Sequence, residues 1–203
     1  MIRERTVAPA DKAVSLDDIR TWLAFDAGIT EDNDVLDTVI DETTAYLEGG
    51  GNGHGELNGR KLYTQTWTIT LDACEIADIL PIRLSPLQSV TSIKTTDADG
   101  VVTTVDTSNY QVRIGEYPRV VLSASGSWPS DTRDYDALQI TCVVGYGDQA
   151  AMPNDIRMIL KGVAQHQYKS KGTGIVATES GYHSLPFQIK EMIQAKRLST
   201  QWV

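Results

Sequence analysis

The three histidines, two cysteines and one long glycine-rich run of this chain are the first places to look for chemistry. His54, His166 and His183 share no zinc-ligand spacing, and two of them fall in glycine-bearing segments. Cys74 and Cys142 form no CxxC pair, so neither a zinc site nor a disulfide framework is indicated, and both read as buried thiols. The run Gly49-Gly50-Gly51-Asn52-Gly53-His54-Gly55 invites comparison with a phosphate loop. Such a loop follows a strand, opens a helix and carries Gly-Lys-Ser/Thr, whereas this run follows a helical pattern and lacks that ending. It reads as a flexible connection, because glycine there leaves too many backbone states open for regular structure.

Other partial motifs fail for want of partners. Asp97-Ala98-Asp99-Gly100 resembles the start of a calcium loop, but Val101-Val102-Thr103-Thr104 follows where oxygen ligands and a bidentate Glu are needed, so a hairpin turn is expected. Ser123-Ala124-Ser125-Gly126-Ser127 is no Gly-x-Ser-x-Gly elbow and reads as a turn. Trp67, Trp128 and Tyr135 are not interleaved with Lys or Arg as a base-stacking groove requires. No catalytic, cofactor or metal site is therefore expected.

The elements that must position any other function follow from periodicity. Ser15-Leu16-Asp17-Asp18 predicts a capped helix start, with the Ser15 hydroxyl accepting from the first turn and Asp18 reciprocating. Glu31, Asp32 and Asp34 suit the positive end of a second helix that carries Val35, Leu36, Val39, Ile40, Thr43, Tyr46 and Leu47 to the Gly49 stop. From Leu62 the period becomes two: Tyr63, Gln65, Trp67, Ile69 and Leu71 alternate with four threonines, the clearest strand in the chain. Further strands are predicted over 79–84, 90–95, 101–106, 110–114, 119–122 and 137–144, as an antiparallel sheet or small barrel. Met152-Pro153 opens a helix with the stripe Ile156, Ile159, Leu160 and Val163, and a last helix is predicted from Leu185 to Trp202. The fold class is thus α+β, a helical body with two N-terminal and two C-terminal helices and an inserted antiparallel β module. Residues 1–58 form the N-terminal helical part and glycine-rich loop, 59–150 the β module, and 151–203 the C-terminal helices with 171–184 as a linker.

At 203 residues and 41% hydrophobic the chain can bury a core without disulfides or metals. No apolar stretch reaches the length of a membrane span and Met1-Ile2-Arg3-Glu4-Arg5 has no signal-peptide character, so a soluble, cytoplasmically made protein is expected. The net charge of −9 opposes general nucleic-acid wrapping, since that affinity comes from neutralising phosphates. Its distribution is uneven: residues 1–60 hold 13 acids and 5 bases, 61–150 hold 11 and 6, and 151–203 hold 3 and 7. An acidic front and basic tail suggest complementary surfaces on neighbouring copies.

Several stretches in order resemble the head-tail connector (adaptor, head-completion) family of tailed bacteriophages. They are Val14-Ser15-Leu16-Asp17-Asp18, the run from Gly59-Arg60-Lys61-Leu62 to Trp67, Leu80-Pro81-Ile82-Arg83-Leu84-Ser85-Pro86-Leu87 with the strand after it, Tyr110, Ser127-Trp128-Pro129, and Val144-Gly145-Tyr146-Gly147-Asp148 ahead of Met152-Pro153-Asn154-Asp155-Ile156. The chain departs from the family pattern in the longer connection at 49–58 and in the segment 171–203. The resemblance implies a structural protein, not an enzyme, assembled as a homo-oligomeric, dodecameric ring beneath the portal of a phage or phage-like particle. It would extend the channel for double-stranded DNA without sequence-specific contact, meet the next neck or tail protein (a stopper or terminator), and require no cofactor and no membrane. Another neck protein, or a β-rich tail hydrolase or carbohydrate-binding module, are the alternatives.

Two surfaces are singled out for that role. On a helical wheel Asp34, Asp37, Asp41 and Glu48 share one side of the second helix with no Lys or Arg within it, and are expected to face the DNA channel or a basic neighbour. The last helix would carry Leu185, Ile189, Met192 and Ile193 on one side and Phe187, Ala195, Leu198 and Trp202 on the other, with Lys190, Lys196 and Arg197 as basic companions. Two apolar stripes predict a segment that leaves the body and docks into the portal.

Overall fold

The structure, a computed structural model, describes residues 1–26, 28, 30–49, 55–170 and 185–198. Eight strands and four helices are present among them. In chain order they are β1 (Ile2–Val7), α1 (Leu16–Trp22), α2 (Asn33–Glu48), β2 (Gln65–Leu71), β3 (Ile79–Pro81), β4 (Leu87–Thr96), β5 (Val102–Thr104), β6 (Tyr110–Arg113), β7 (Arg119–Leu122), β8 (Leu138–Val144), α3 (Asn154–Ser170) and α4 (Phe187–Lys196). The α+β class expected from the sequence is the class observed.

The β module is a five-stranded sheet in the order β1-β2-β8-β4-β5 and a three-stranded sheet in the order β3-β7-β6. All pairings within them are antiparallel. Their inner faces share one core of Trp67, Ile69, Leu80, Ile93, Val120, Leu138, Ile140 and Val144. The period-two pattern of β2 is realised fully: Gln65, Trp67, Ile69 and Leu71 are buried and the threonines between them lie on the outer face. Gly145, directly after β8, has φ +114°, and a Cβ there would sit 2.1 Å from the Tyr63 carbonyl oxygen, so the chain passes only because the side chain is absent.

The helices build a second core from Ile19, Leu36, Ile40, Leu47, Ile156, Ile159, Leu160 and Val163, joined by Leu57 and Leu62 from the connection into β2. Ser15 caps α1 as expected, accepting from the Asp18 amide at 3.1 Å. The Asp18 carboxylate does not close a capping box but takes Lys161 of α3 at 3.2 Å, because the third helix lies close enough to offer a cation. Gly49 ends α2 in the left-handed conformation, φ 86°.

Three expectations about architecture are corrected. The front segment is not purely helical: β1 pairs with β2 from Ile2↔Thr70 to Val7↔Thr66 and becomes an edge of the large sheet. Cys74 is exposed, while Cys142 is the buried thiol that was expected. The last helix ends at Lys196, not Trp202, with Arg197 already extended (ψ 133°). Trp202, the linker 171–184 and most of the glycine-rich run lie outside the described residues.

Candidate assembly surfaces

Among the described residues no group of three or more His, Cys, Asp or Glu is placed to hold a metal ion. No described helix is long and apolar enough to cross a membrane. Cys142 is sealed in the sandwich core, where burial pushes its thiol up to about 12. The groups that organise this molecule are instead those at the joint between helices and sheet and those on its outer faces.

The joint is a buried polar cluster. Glu48, in the last turn of α2, is 2% exposed; its Oε1 accepts from the Leu62 amide, and both carboxylate oxygens accept from Gln65 Nε2, Oε2 at 3.1 Å and Oε1 at 3.2 Å. Gln65 in turn accepts from Trp67 Nε1 at 2.9 Å. Lys61, fully buried, donates from Nζ to the Glu48 carbonyl oxygen at 2.8 Å, which satisfies one of the carbonyls left open at the end of α2. Desolvation pushes the Lys61 ammonium down to about 8; Glu48 opposes that shift, and Arg3 and Arg5 of β1 add to it.

This placement corrects the reading of Glu48 as a channel-facing acid. A helical wheel shows angle only, and the last turn of α2 abuts the start of β2, so an acid on the nominal outer side is swallowed by the second module. The other three acids are on the surface. Asp37 and Asp41 are joined by Lys12 at 2.7 and 2.8 Å, a partner from the segment before α1 that a survey within the helix does not see. Burial pulls the Lys12 ammonium down, but hydrogen bonds to Asp37 and Asp41 outweigh it and hold it above its ordinary value. Asp34 is exposed.

The C-terminal helix does not leave the body within the described residues. Its inner stripe lies on the helical core: Ile193 is 4% exposed, with Leu185, Ile189 and Met192 partly buried against the same cluster. Gly162 of α3 makes room for Ile189, whose Cδ1 would stand 2.9 Å from a Cβ at that position. Lys196 forms an ion pair with Asp155 at the start of α3, and that hydrogen bond holds the Asp155 carboxyl below its ordinary value. The end of α4 is gripped by the connection into β2: Arg60 Nε donates to the Lys196 carbonyl at 3.0 Å, and Asn58 Nδ2 to the Leu198 carbonyl at 2.8 Å. Leu198 is thereby buried, on the core side and not on an outer stripe. Phe187, 75% exposed, and Ala195 do face outward, as do Lys190 and Arg197. Asn58 and Arg60 were given no role from the sequence, Arg60 standing only within the resembling run; the Asn58-Gly59 dipeptide was the available sign of a tight bend, which the structure realises with φ 51° and 93°.

With this geometry in view, comparison with known structures is direct. A chain in the neck of an empty gene transfer agent (GTA) particle, resolved with C6 symmetry, superposes with a TM-score of 0.78 at 18% identity, over 99% of this chain and 97% of that one. A chain in the virion of a native GTA particle gives 0.76, and one in the native neck resolved with C12 symmetry gives 0.70, each at 18% identity and the same coverage. This chain has their fold. The likeness takes in both the helical body and the sandwich, at an identity that speaks for fold alone. No protein-family model and no curated protein sequence matches the chain.

Proposed function

We propose that this chain is a structural neck protein of a phage-like particle, a head-tail connector that forms a closed ring beneath the portal. The observation that carries the reading is fold likeness over essentially the whole of both chains to proteins of a GTA neck, helices and inserted sandwich together. The ordered motifs from Val14 to Ile156 support the same reading from the sequence. A ring arises when one heterologous contact repeats by a rotation that closes, and twelve copies would match a twelve-fold portal. In such a ring the chain would continue the channel for passing double-stranded DNA and offer its far side to the next neck or tail protein.

The outward face of α4 is the portal-docking candidate in this reading. Phe187 projects a large apolar side chain with Lys190 and Arg197 exposed on the same helix and its end, a pairing of anchor and charge suited to an acidic receptor. The inner residues Leu185, Ile189, Met192 and Ile193 would then serve to fix the helix on the body. Imaging of the particle neck, resolving the layer directly beneath the portal, tests the reading. A closed ring of this chain is the expected result; a single copy, an open filament, or a location in another layer overturns it.

A further inference from the structure

Tyr135 is the most exposed large apolar side chain among the described residues, at 76%. It stands in the loop between β7 and β8, flanked by Asp134 and Asp136. That loop is tied down at three points. The Ala73 amide donates to the Asp134 carbonyl at 3.0 Å, the Arg133 amide to the Thr96 carbonyl at 3.0 Å, and the Asp136 amide to Asp72 Oδ1 at 2.9 Å. Asp136 has φ 48°, in the left-handed region that Asp tolerates better than most residues, and this turns the chain sharply just after the ring. An aromatic side chain therefore projects into solvent from a fixed support. Tyrosine presented in this way gives large contact area for little lost conformational freedom, which is why it recurs as an interface anchor.

A cavity suited to such a ring lies toward the other end of the large sheet. It measures about 490 Å³ and is bounded by Arg5 of β1, by Pro9 and Ala10 in the segment before α1, by Ala45 of α2, and by Tyr63. Register fixes the separation: the loop enters β8 beside Leu138, which pairs with Leu71, whereas Arg5 pairs with Trp67. Four residues of strand span about 14 Å.

Charge selects what this cavity takes. Its acids are engaged: Asp41 holds Lys12 at 2.8 Å, Glu48 accepts from the Leu62 amide and Gln65, and Asp11 accepts from the Lys12 amide at 2.7 Å. Arg5 has no carboxylate partner among the described residues, and its charge is felt by the buried Lys61. A carboxylate brought in from outside would meet this unmatched cation. A second cavity, of about 460 Å³ between α2 and the end of α3, is rimmed by Asp34 and Glu42 with no cation in its lining, so it repels an acid-flanked ring. The turn between β6 and β7 offers no competing knob, since its acid Glu116 is already taken by Arg60 at 2.8 Å.

We propose that Tyr135 of one copy seats in the Arg5 cavity of the next copy, with Asp134 meeting Arg5. The ring packs on the small side chains of the cavity wall and supplies the buried apolar area, while the ion pair orients the approach. Loop and cavity lie at opposite ends of the sheet, so the contact joins unlike patches and repeats head to tail, as a closing ring requires. This inference rests on the ring reading of the protein and specifies one of its contacts.

The test uses full-length chains carrying Tyr135→Ser, Asp134→Arg or Arg5→Glu, each shown to fold by circular dichroism and melting. Self-association is measured by sedimentation at matched concentration. Each variant alone should associate at least about tenfold more weakly than wild type. An equimolar mixture of Asp134→Arg and Arg5→Glu chains should recover association, because copies alternating around a ring restore opposite charges at every contact. With the exposed thiol removed by Cys74→Ala, chains carrying Tyr135→Cys should also form a disulfide with chains carrying Ala10→Cys under mild oxidation. Should Arg5→Glu fail to fold, Tyr135→Ser and the disulfide decide the matter. Association unaffected by Tyr135→Ser, no recovery in the mixture of folded variants, or no disulfide overturns the proposed contact and leaves the ring to be judged by imaging of the neck. A wild-type chain that stays monomeric at every concentration overturns it as well. A neck image in which Tyr135 meets a different protein assigns the loop to that partner and likewise overturns the proposal.

Discussion

Lys61 places its ammonium 4.4 Å from the centre of the Trp67 ring while donating to the Glu48 carbonyl, so one buried cation touches both β2 and the end of α2. The ring face compensates part of what the cation loses by leaving water. Burial wins the balance, as the depressed titration of Lys61 to about 8 records.

Two buried groups then give stability opposite dependences on pH. Between about 8 and its ordinary value of 10.5, Lys61 has released its proton in the folded chain but keeps it in the unfolded one, so stability rises with pH. Cys142 does the reverse: between its ordinary 9.0 and about 12 the folded chain keeps a proton that the unfolded chain has lost, so stability falls. Wild type should gain stability from pH 8 to 9, hold nearly level to 10.5, and lose it beyond. Urea titrations across this range test the assignment. Lys61→Met should leave only the fall, and Cys142→Ala should uncover a rise of roughly 3 kcal/mol in total.

Glu48 should matter for folding, not for the channel. Its carboxylate accepts from the Leu62 amide and Gln65 and opposes the charge of Lys61. Glu48→Ala leaves buried donors and a buried cation without that partner, a change that costs about 3–5 kcal/mol. Asp34→Ala, on the exposed stretch of the same helix, should change stability by less than about 0.5 kcal/mol. Equal effects of the two substitutions in urea unfolding would remove the distinction drawn between them.

Where local pattern decides structure, the sequence is readable. The Gln65 to Leu71 alternation, the Ser15 cap and the Ile156-Ile159-Leu160-Val163 stripe each correspond to an element with the predicted buried face. The failures are contacts from a distance. β1 is an edge strand whose residues Ile2 to Val7 are mostly exposed and carry Arg3, Glu4 and Arg5, so no hydrophobic alternation announces it; its pairing comes from β2. Glu48 and Asp37 have the same residue character and similar helical angle, yet one meets β2 and the other meets Lys12. The grip of Asn58 and Arg60 on the end of α4 spans more than 130 residues of chain, for which no local spacing gives a sign.

Phe187 separates attachment from folding. At 75% exposure its replacement by Ser should alter stability by less than about 0.5 kcal/mol. In the proposed role the same change should sharply reduce joining of the chain to portal-bearing heads, measured by co-sedimentation. Undiminished joining would take the outward face of α4 out of the portal contact.

Removal of residues 185–203 discriminates between a helix that is only a tether and one that also completes the fold. A tether leaves stability untouched. The observed packing predicts otherwise: Ile193 and Leu198 are buried, and full burial of two such side chains is worth about 3–6 kcal/mol as an upper bound. The truncation also exposes the Gly162 side of α3 and frees Arg60 and Asn58 from the carbonyls they hold. The shortened chain should therefore unfold at distinctly lower urea concentration, with hydrogen exchange rising first in α3 and in residues 57–60. Gly162→Leu offers the milder form of the same experiment, since the larger side chain must displace Ile189 and lift α4 while every residue of the helix remains. Faster exchange confined to 187–196 and its contacts is expected there. Should truncation leave the urea midpoint unchanged, the helix would be an appendage, and its inner stripe would be available to a partner after all.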